Sequence, residues 1–251
     1  MRRTLAVLVL AAAAASIPGA AAGPGIGLSA SPLRLTMRGK SASVITVRNP
    51  SRRTLRVDVS RAGFTRSLRG KPRVRSARGA ATWLRLRPLR FRLAPGAKKT
   101  LHVAAVPSRR AAPGDHPALV LLTTRPLGVK HVRVRLRVGV VVDLRLRGRI
   151  LRRLDARALT VRRSGPLRLL DLRLVNRGNA IERLARDGLR VSLLRNGRKL
   201  ATLRPRSREL LPHSAGIAVF AYHGRVRGAV VAKVELRPPV RGALRSFRVR
   251  L

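Results

Sequence analysis

Residues 131–142 read HVRVRLRVGVVV, and from position 132 to position 138 an apolar residue and an arginine alternate. Successive side chains of a β-strand point to opposite faces, so this alternation predicts a strand with one apolar face and one solvated face. At about 3.3 Å per residue the strand would be roughly 40 Å long. The apolar face would carry Val132, Val134, Leu136 and Val138, and the basic face Arg133, Arg135 and Arg137.

The sequence before this run has the same pattern in shorter pieces. Alternating runs are separated by NPSRR, APGAKK and APGDHP, whose proline and glycine favour turns over strands. This spacing is typical of antiparallel strands and predicts an all-β fold. The clearest runs are SASVITVRN (41–49), TLRVDVS (54–60), KTLHVAAVP (99–107) and ALVLLTT (118–124).

The sequence after this run repeats the pattern up to the last residue. Asn196-Gly197 lies between two alternating runs, which predicts a tight hairpin. Only the segment from Ile181 to Arg186 looks helical. We therefore predict two tandem immunoglobulin-like antiparallel β-sandwich domains, at residues 26–147 and 148–251.

Residues 1–22 have the layout of an export signal. Arg2 and Arg3 precede an apolar run, and small residues at 20–22 form an expected cleavage site. The apolar run is shorter than the roughly 20 residues that span a bilayer. We expect a secreted or cell-wall-associated, extracytoplasmic protein without a transmembrane segment in its mature chain.

The composition is extremely basic, with 57 Lys and Arg against 9 Asp and Glu and a formal net charge of +48. Such a surface attracts acidic polymers. GC-rich coding, which enriches arginine, accounts for the same bias, so both explanations stay open. With 2% aromatic residues and no expected recognition helix, we expect no specific nucleic-acid partner.

The residues that usually carry catalysis are scarce. The chain has no cysteine, its histidines lack metal-ligand spacing, and no phosphate-binding or nucleophile motif is present. Asp58 and Asp143 lie within alternating runs, where ion pairs with neighbouring arginines are expected. We therefore predict no enzymatic activity, no cofactor and no metal.

Several phrases in the first half resemble a known family. "GKSASVITVRNPSRRTLRVDV" (39–59) is followed by "ATWLRLRPLRFRLAPGAKKTLHVAAVP" (81–107) and "APGDHPALVLLTTRP" (112–126). These are similar to the peptidoglycan-binding-type immunoglobulin-like domain of WxL-interacting-type bacterial surface proteins. The phrase "LDLRLVNRGNA" (170–180) resembles the second immunoglobulin-like domain of that family. The resemblance implies a cell-surface protein that attaches to the cell wall and holds a protein partner.

Two hypotheses follow for the function. The first is an exported binding protein that attaches to cell-wall or other anionic surface polymers through a basic face at Arg133, Arg135 and Arg137, and that also binds another surface protein. The alternative is an assembly factor, like the periplasmic pilus chaperones, that donates a β-strand to an unfinished subunit. Its donated residues would be Val132, Val134, Leu136 and Val138. The two differ in whether the edge of this strand is open or already paired.

Overall fold

A computed structural model describes residues 27–129, 132–185, 188–206, 208–238, 240–242 and 245–251. The expected export signal at residues 1–22 and the boundary residues His131 and Arg186 lie outside these ranges. The described chain is built almost entirely of strands, with one short 3₁₀ helix at Gly79–Trp83. None of its helical segments has the length and apolarity needed to cross a membrane.

The first half forms a sandwich of two sheets. Strands β1, β3, β8 and β6 pair in that order, and the facing sheet has the order β2, β12, β9, β4 and β5, with β7 also paired to β4. The strands are β1 (Ser29–Ser31), β2 (Arg34–Arg38), β3 (Ser41–Arg48), β4 (Leu55–Arg66), β5 (Pro72–Arg75), β6 (Leu84–Arg87), β7 (Arg90–Leu93), β8 (Lys98–Ala105), β9 (Gly114–Thr124), β10 (Leu127–Val129), β11 (Val132–Val134) and β12 (Arg137–Leu146).

The second half forms another sandwich. One sheet has the order β13, β14 and β19, and the other has the order β17, β16, β20 and β21. The strands are β13 (Leu154–Ser164), β14 (Leu167–Asn176), β15 (Glu182–Arg183), β16 (Arg190–Arg195), β17 (Arg198–Leu203), β18 (Glu209–Leu210), β19 (Ala215–Tyr222), β20 (Ala229–Glu235) and β21 (Ser246–Arg250).

Each sandwich has its own apolar core, formed by alternate residues of its strands. In the first, Ile45 and Leu101 of one sheet lie in the same buried cluster as Val142 of the other. In the second, Leu172 and Phe220 are fully buried in a separate cluster. Burial of alternate side chains is the result that period-two hydrophobicity predicts. The all-β class and the two tandem immunoglobulin-like sandwiches are thus confirmed.

Two local predictions have opposite outcomes. Asn196 and Gly197 connect β16 to β17 with φ angles of 48° and 76°, as a two-residue hairpin of the predicted kind requires. The helical prediction for 181–186 is wrong, because Glu182 and Arg183 pair with Leu210 and Glu209 as short antiparallel strands. Helical periodicity was weak there, and tertiary pairing determines the backbone conformation.

Candidate functional site

The predicted long strand lies in a hairpin that extends from the first sandwich. Strand β9 pairs with β12 from Gly114↔Leu146 to Thr123↔Arg137. Beyond this ladder the hairpin continues as β10 and β11, with Leu127 opposite Val134. The prediction of one continuous strand over residues 131–142 is therefore wrong. The described part of this segment forms two strands, which are separated at Arg135 and Leu136.

An additional residue in the facing strand causes this separation. Between the two ladders, three residues from Thr124 to Pro126 lie opposite only Arg135 and Leu136. The backbone carbonyl of Leu136 accepts from the Thr124 N–H at 2.9 Å, and the Leu136 N–H donates to Thr124 Oγ1 at 3.0 Å. Pro126 has no N–H to donate, and the Arg125 N–H donates instead to Arg56 in β4. The surplus residue forms a β-bulge on the β9 side of the hairpin.

The predicted alternation of faces continues through this separation. Val134, Leu136 and Val138 are half-buried, whereas Arg135 and Arg137 are exposed. Of the three apolar side chains, Val138 packs against the first core, and neither Val134 nor Leu136 belongs to that cluster. The row of apolar side chains therefore starts at the first core, at Val138, and continues beyond it to Leu136 and Val134. The side chains of Val132 and Arg133 lie outside the described residues.

One edge of this strand is open. Strand β2 pairs in parallel with β12 only from Val141 to Arg145, and the Val141 N–H donates to Leu33 at 3.0 Å. From Arg137 to Val140, β12 has β9 on one side and no strand of the described residues on the other. Backbone polar groups alternate in direction along a strand, so those of Arg137 and Gly139 point the same way as those of Val141. They lie at an edge to which no strand of the described residues is paired.

The other end of β12 is fixed against the second sandwich by ion pairs. Arg34 in β2 donates to Asp143 of β12 at 2.6 Å and makes two contacts with Glu209 of β18, at 3.1 and 2.6 Å. Arg183 contributes a further contact to Glu209 at 3.1 Å. The network joins the first sandwich to a strand pair of the second.

The two carboxylates of this network differ in their pKa. Burial raises the pKa of Asp143, and the nearby Arg34 charge does not overcome that effect. Burial also acts to raise the pKa of Glu209, but hydrogen bonds and charges of Arg34 and Arg183 outweigh it and lower the pKa. The geometry explains the difference, because Glu209 has both oxygens bound whereas Asp143 Oδ1 is buried without a partner in the described chain.

Asp115 links the same sandwiches at a second point. Its carboxylate accepts from Arg145 Nε at 2.5 Å and Arg145 Nη2 at 2.7 Å, and Oδ2 also accepts from the Ile181 backbone N–H at 2.7 Å. Burial acts to raise the pKa of Asp115, but the bonds from Arg145 and Ile181 outweigh it and lower the pKa. Leu119, Ile181 and Leu211 also belong to one buried apolar cluster that joins the two sandwiches.

The carboxylates considered as catalytic candidates are held by arginines. Asp143 pairs with Arg34, and Asp58 lies 3.4 Å from Arg90 Nε, which confirms the ion pairs predicted for both. Within the part of the chain that the structure describes, no three His, Asp or Glu side chains form a potential metal site. The open edge of β12 is the candidate functional site, since it combines unpaired backbone groups with a row of apolar side chains.

The sequence did not indicate how the second sandwich contributes to this site. Glu209 and Ile181 are distant in sequence from β12, and neither lies in a motif that specifies a partner. The scarcity of acidic residues was a usable signal. With nine carboxylates among 57 basic residues, each buried acid is expected to have an arginine partner.

Comparisons with known proteins identify a fold and no close relative. No family model matches the chain, and no curated protein matches it significantly. The solved structures include a chain of a chaperone–tip adhesin complex of CFA/I fimbriae biogenesis, 10% identical, with a TM-score of 0.50 over 89% of this chain and 98% of that one. The class 5 fimbriae chaperone CfaA matches at 9% identity and a TM-score of 0.50, over 89% of this chain and 99% of CfaA.

These matches correct three expectations. The resemblance to WxL-interacting-type surface proteins is wrong, since the matched folds are those of fimbrial chaperones. The expected function, peptidoglycan binding and cell-wall attachment, depended on that resemblance and is wrong. The expected partner, a cell-wall or other anionic surface polymer, is wrong for the same reason. Arg133, Arg135 and Arg137 as a basic binding face stay a prediction, without cell-wall polymers as the partner. Phrases such as Asn-Pro at a strand end specify a sandwich and do not distinguish families that share it.

Proposed function

We propose that this protein is an extracytoplasmic assembly chaperone that binds an unfinished β-sandwich subunit by strand addition. The open edge of β12 at Arg137–Val140 carries this proposal. Val132, Val134, Leu136 and Val138 would be the donated side chains. The chain would act by binding and not by catalysis. The first sandwich, with proposed limits 26–147, would supply the donor strand, and the second, at 148–251, would support it.

Strand addition requires two properties of an edge, and both occur at this one. Free backbone N–H and C=O groups provide affinity, and alternate side chains that fill pockets of the partner provide specificity. Arg137 and Gly139 direct their backbone groups to the open side, while Val134 and Leu136 extend an apolar row past the first core. From Val134 to Val138 the row covers about 13 Å, enough for three successive pockets.

A partner bound here would complete its own sheet with the edge of β12. An exposed edge strand with apolar side chains promotes aggregation unless it is covered or protected. The exposed arginines at 135 and 137 lie between the apolar residues and keep the free edge soluble. In a complex they would remain on the solvent face and would accelerate association with an acidic subunit.

Other observations agree with an assembly role outside the cytoplasm. Two of the matched structures are a chain from a chaperone–tip adhesin complex and a class 5 fimbriae chaperone, both of similar length to this chain. The layout of residues 1–22 is that of an export signal. In the described residues, the buried carboxylates are bound to arginines and are not arranged for acid–base catalysis.

The test uses exported β-sandwich proteins of the producing organism, each made without its last strand. Each is refolded with the chain, and complexes are isolated by size-exclusion chromatography. We expect at least one soluble one-to-one complex in which the amides of Arg137 and Gly139 become protected from hydrogen exchange. L136D should abolish it, because the substitution places a carboxylate in an apolar pocket of the partner.

V44D is the matched control, since Val44 is 48% exposed on β3, in the opposite sheet. It introduces the same charge into the same sandwich and should leave the complex intact. Circular dichroism establishes that both variants fold. The proposal is overturned if no subunit forms a complex, or if complexes form with these two amides still exchanging and with L136D as active as the unmodified chain.

A further inference from the structure

A strongly basic pocket lies at one end of the second sandwich, away from β12. Its volume is about 550 Å³, and among its lining residues there is no Asp or Glu. The turn between β13 and β14 forms one wall, and the connection from β19 to β20 forms another. Its polar lining includes Arg163, Arg168, His223, Arg225 and Arg227.

Arg168 occupies a core position in this pocket. It lies in β14 at the same alternation phase as Leu170 and Leu172, both of which are fully buried in the second core. It is opposite Tyr222 on β19, which is itself 5% exposed and part of that core. Arg168 is 9% exposed. The strand pattern therefore directs a guanidinium toward the interior at the end of the sandwich.

This guanidinium has no counter-charge among the described residues. It makes no hydrogen bond or ion pair with them, and its Nε atom is buried without a partner. Arginine cannot relieve the cost of burial by losing a proton, because it remains charged at any physiological pH. Other buried charges of this sandwich are paired, as Glu182 is with Arg152 and Asp171 with Arg162.

Neighbouring residues increase the positive charge. Arg163 is directly opposite Arg168 in the β13–β14 register, and like charges at opposite positions destabilise a sheet. Arg225 and Arg227 add two more guanidinium groups from the loop. Gly224 packs against the Tyr222 ring, where a Cβ atom would lie 2.2 Å from the hydroxyl oxygen. A side chain at position 224 would therefore clash with the Tyr222 ring.

We infer that this pocket binds a phosphate group. Four arginines without an acid are matched better by a dianion with several acceptor oxygens than by a single carboxylate, and arginine binds phosphate through two parallel hydrogen bonds. A soluble phosphate ester and a phospholipid headgroup share this chemistry. The pocket lies within the second sandwich, and phosphate binding there would not require strand addition at β12.

The experiment titrates the full chain with inorganic phosphate and with glycerol 1-phosphate at constant ionic strength, with chloride as the balancing anion. Binding is followed by phosphorus NMR and by the melting temperature, which rises with ligand concentration if the ligand binds the folded state. R168M should weaken binding about tenfold or more, since it removes a charge-assisted contact. R248M is the control, because Arg248 is exposed on β21 of the same sandwich. It should bind as the unmodified chain does.

The melting temperature of R168M without phosphate is a second test. In chloride buffer R168M should melt at the same temperature as the unmodified chain or higher, because a buried unpaired charge is replaced by an apolar side chain. If R168M does not fold, R225Q/R227Q tests the same pocket from its loop. Flotation with phosphatidylglycerol vesicles distinguishes a phospholipid headgroup from a soluble phosphate ester as the ligand. A headgroup site would make the unmodified chain float with the vesicles and R168M float less. Equal phosphate binding by R168M and R248M, or no binding beyond that of chloride, would overturn the inference.

Discussion

Asn49 and Asn176 occupy equivalent places in the two sandwiches, each buried at the end of a strand and each bonded in the same pattern. Asn49 Nδ2 donates to the carbonyl of Arg53, four residues on, and to Leu93 and Ala94. Asn176 Nδ2 donates to Ala180, also four residues on, and to Leu211 at 3.0 Å. In both, Oδ1 accepts the backbone N–H two residues on, from Ser51 and Gly178.

We therefore predict that N49L and N176L each destabilise the protein by at least about 2 kcal/mol, because each leaves buried carbonyls without a donor. The measurement is urea unfolding, with hydrogen exchange at Val103 and Leu172 to report on each sandwich. S29A, at an exposed serine, should change stability by less than about 0.5 kcal/mol. Equal stability of N49L and the unmodified protein would refute the structural role of this amide.

The sequence indicated these positions without their partners. "VRNPS" and "LVNRG" mark where a strand ends, since asparagine followed by proline or glycine is typical of a turn. Each amide also donates to a carbonyl at a strand end some 35 to 45 residues later. Local alternation predicts strands because it reports burial on one face, but it contains no information about such distant contacts.

The open edge predicts an alternating pattern of amide exchange along β12. The N–H groups of Val138 and Val140 face β9 and should exchange slowly, whereas those of Arg137 and Gly139 should exchange rapidly. From Val141 onward both sets should be slow, because β2 covers that edge and Leu33 accepts the Val141 N–H. Residue-resolved exchange by NMR measures this. Uniform protection from Arg137 to Val142 would show that the edge is covered.

Asp115 predicts a specific dependence of stability on pH. Its pKa is lowered in the folded state, so its contribution is complete above the unfolded pKa and is lost as pH falls through the folded pKa. D115N should reduce stability at pH 7, and its deficit should shrink as pH falls below about 4. Urea unfolding across pH 2–7 measures the difference, with D58N at an exposed ion pair as control. A deficit that is constant across this range would contradict the prediction.

Arg34 predicts a strong asymmetry between two arginine substitutions. R34M removes an arginine that binds two carboxylates, one of them buried. It should cost about 2 kcal/mol or more, below the 3–5 kcal/mol of a fully buried pair because the Arg34 side chain is 32% exposed. R90M removes an exposed pair and should cost less than about 1 kcal/mol. Adding D143N to R34M should recover part of the loss. Urea unfolding tests all three, and equal losses for R34M and R90M would reject this assignment.

The site itself was only partly predictable. The alternation of Val134, Leu136 and Val138 with arginines specified both faces of the proposed donor segment, and the half-buried and exposed side chains follow that pattern. Whether the edge was open depended on where β2 ends, which no local pattern reports. The bulge at Arg125 and Pro126 was equally hidden, since the proline lies in the facing strand and not in the one that the pattern describes.

Because of the position of that bulge, the length of the hairpin can change without changing which face of the strand its apolar side chains occupy. Because the surplus residue is on the β9 side, Val134, Leu136 and Val138 remain in phase with the core residues Val140 and Val142 of β12. Between those two, the Val141 N–H is bound by Leu33. In the proposed complex, the position of each apolar side chain relative to the subunit would therefore be set by the paired part of β12. In that complex, an insertion or deletion near the hairpin tip would change how many pockets the row can fill, without changing which residue of β12 enters each pocket.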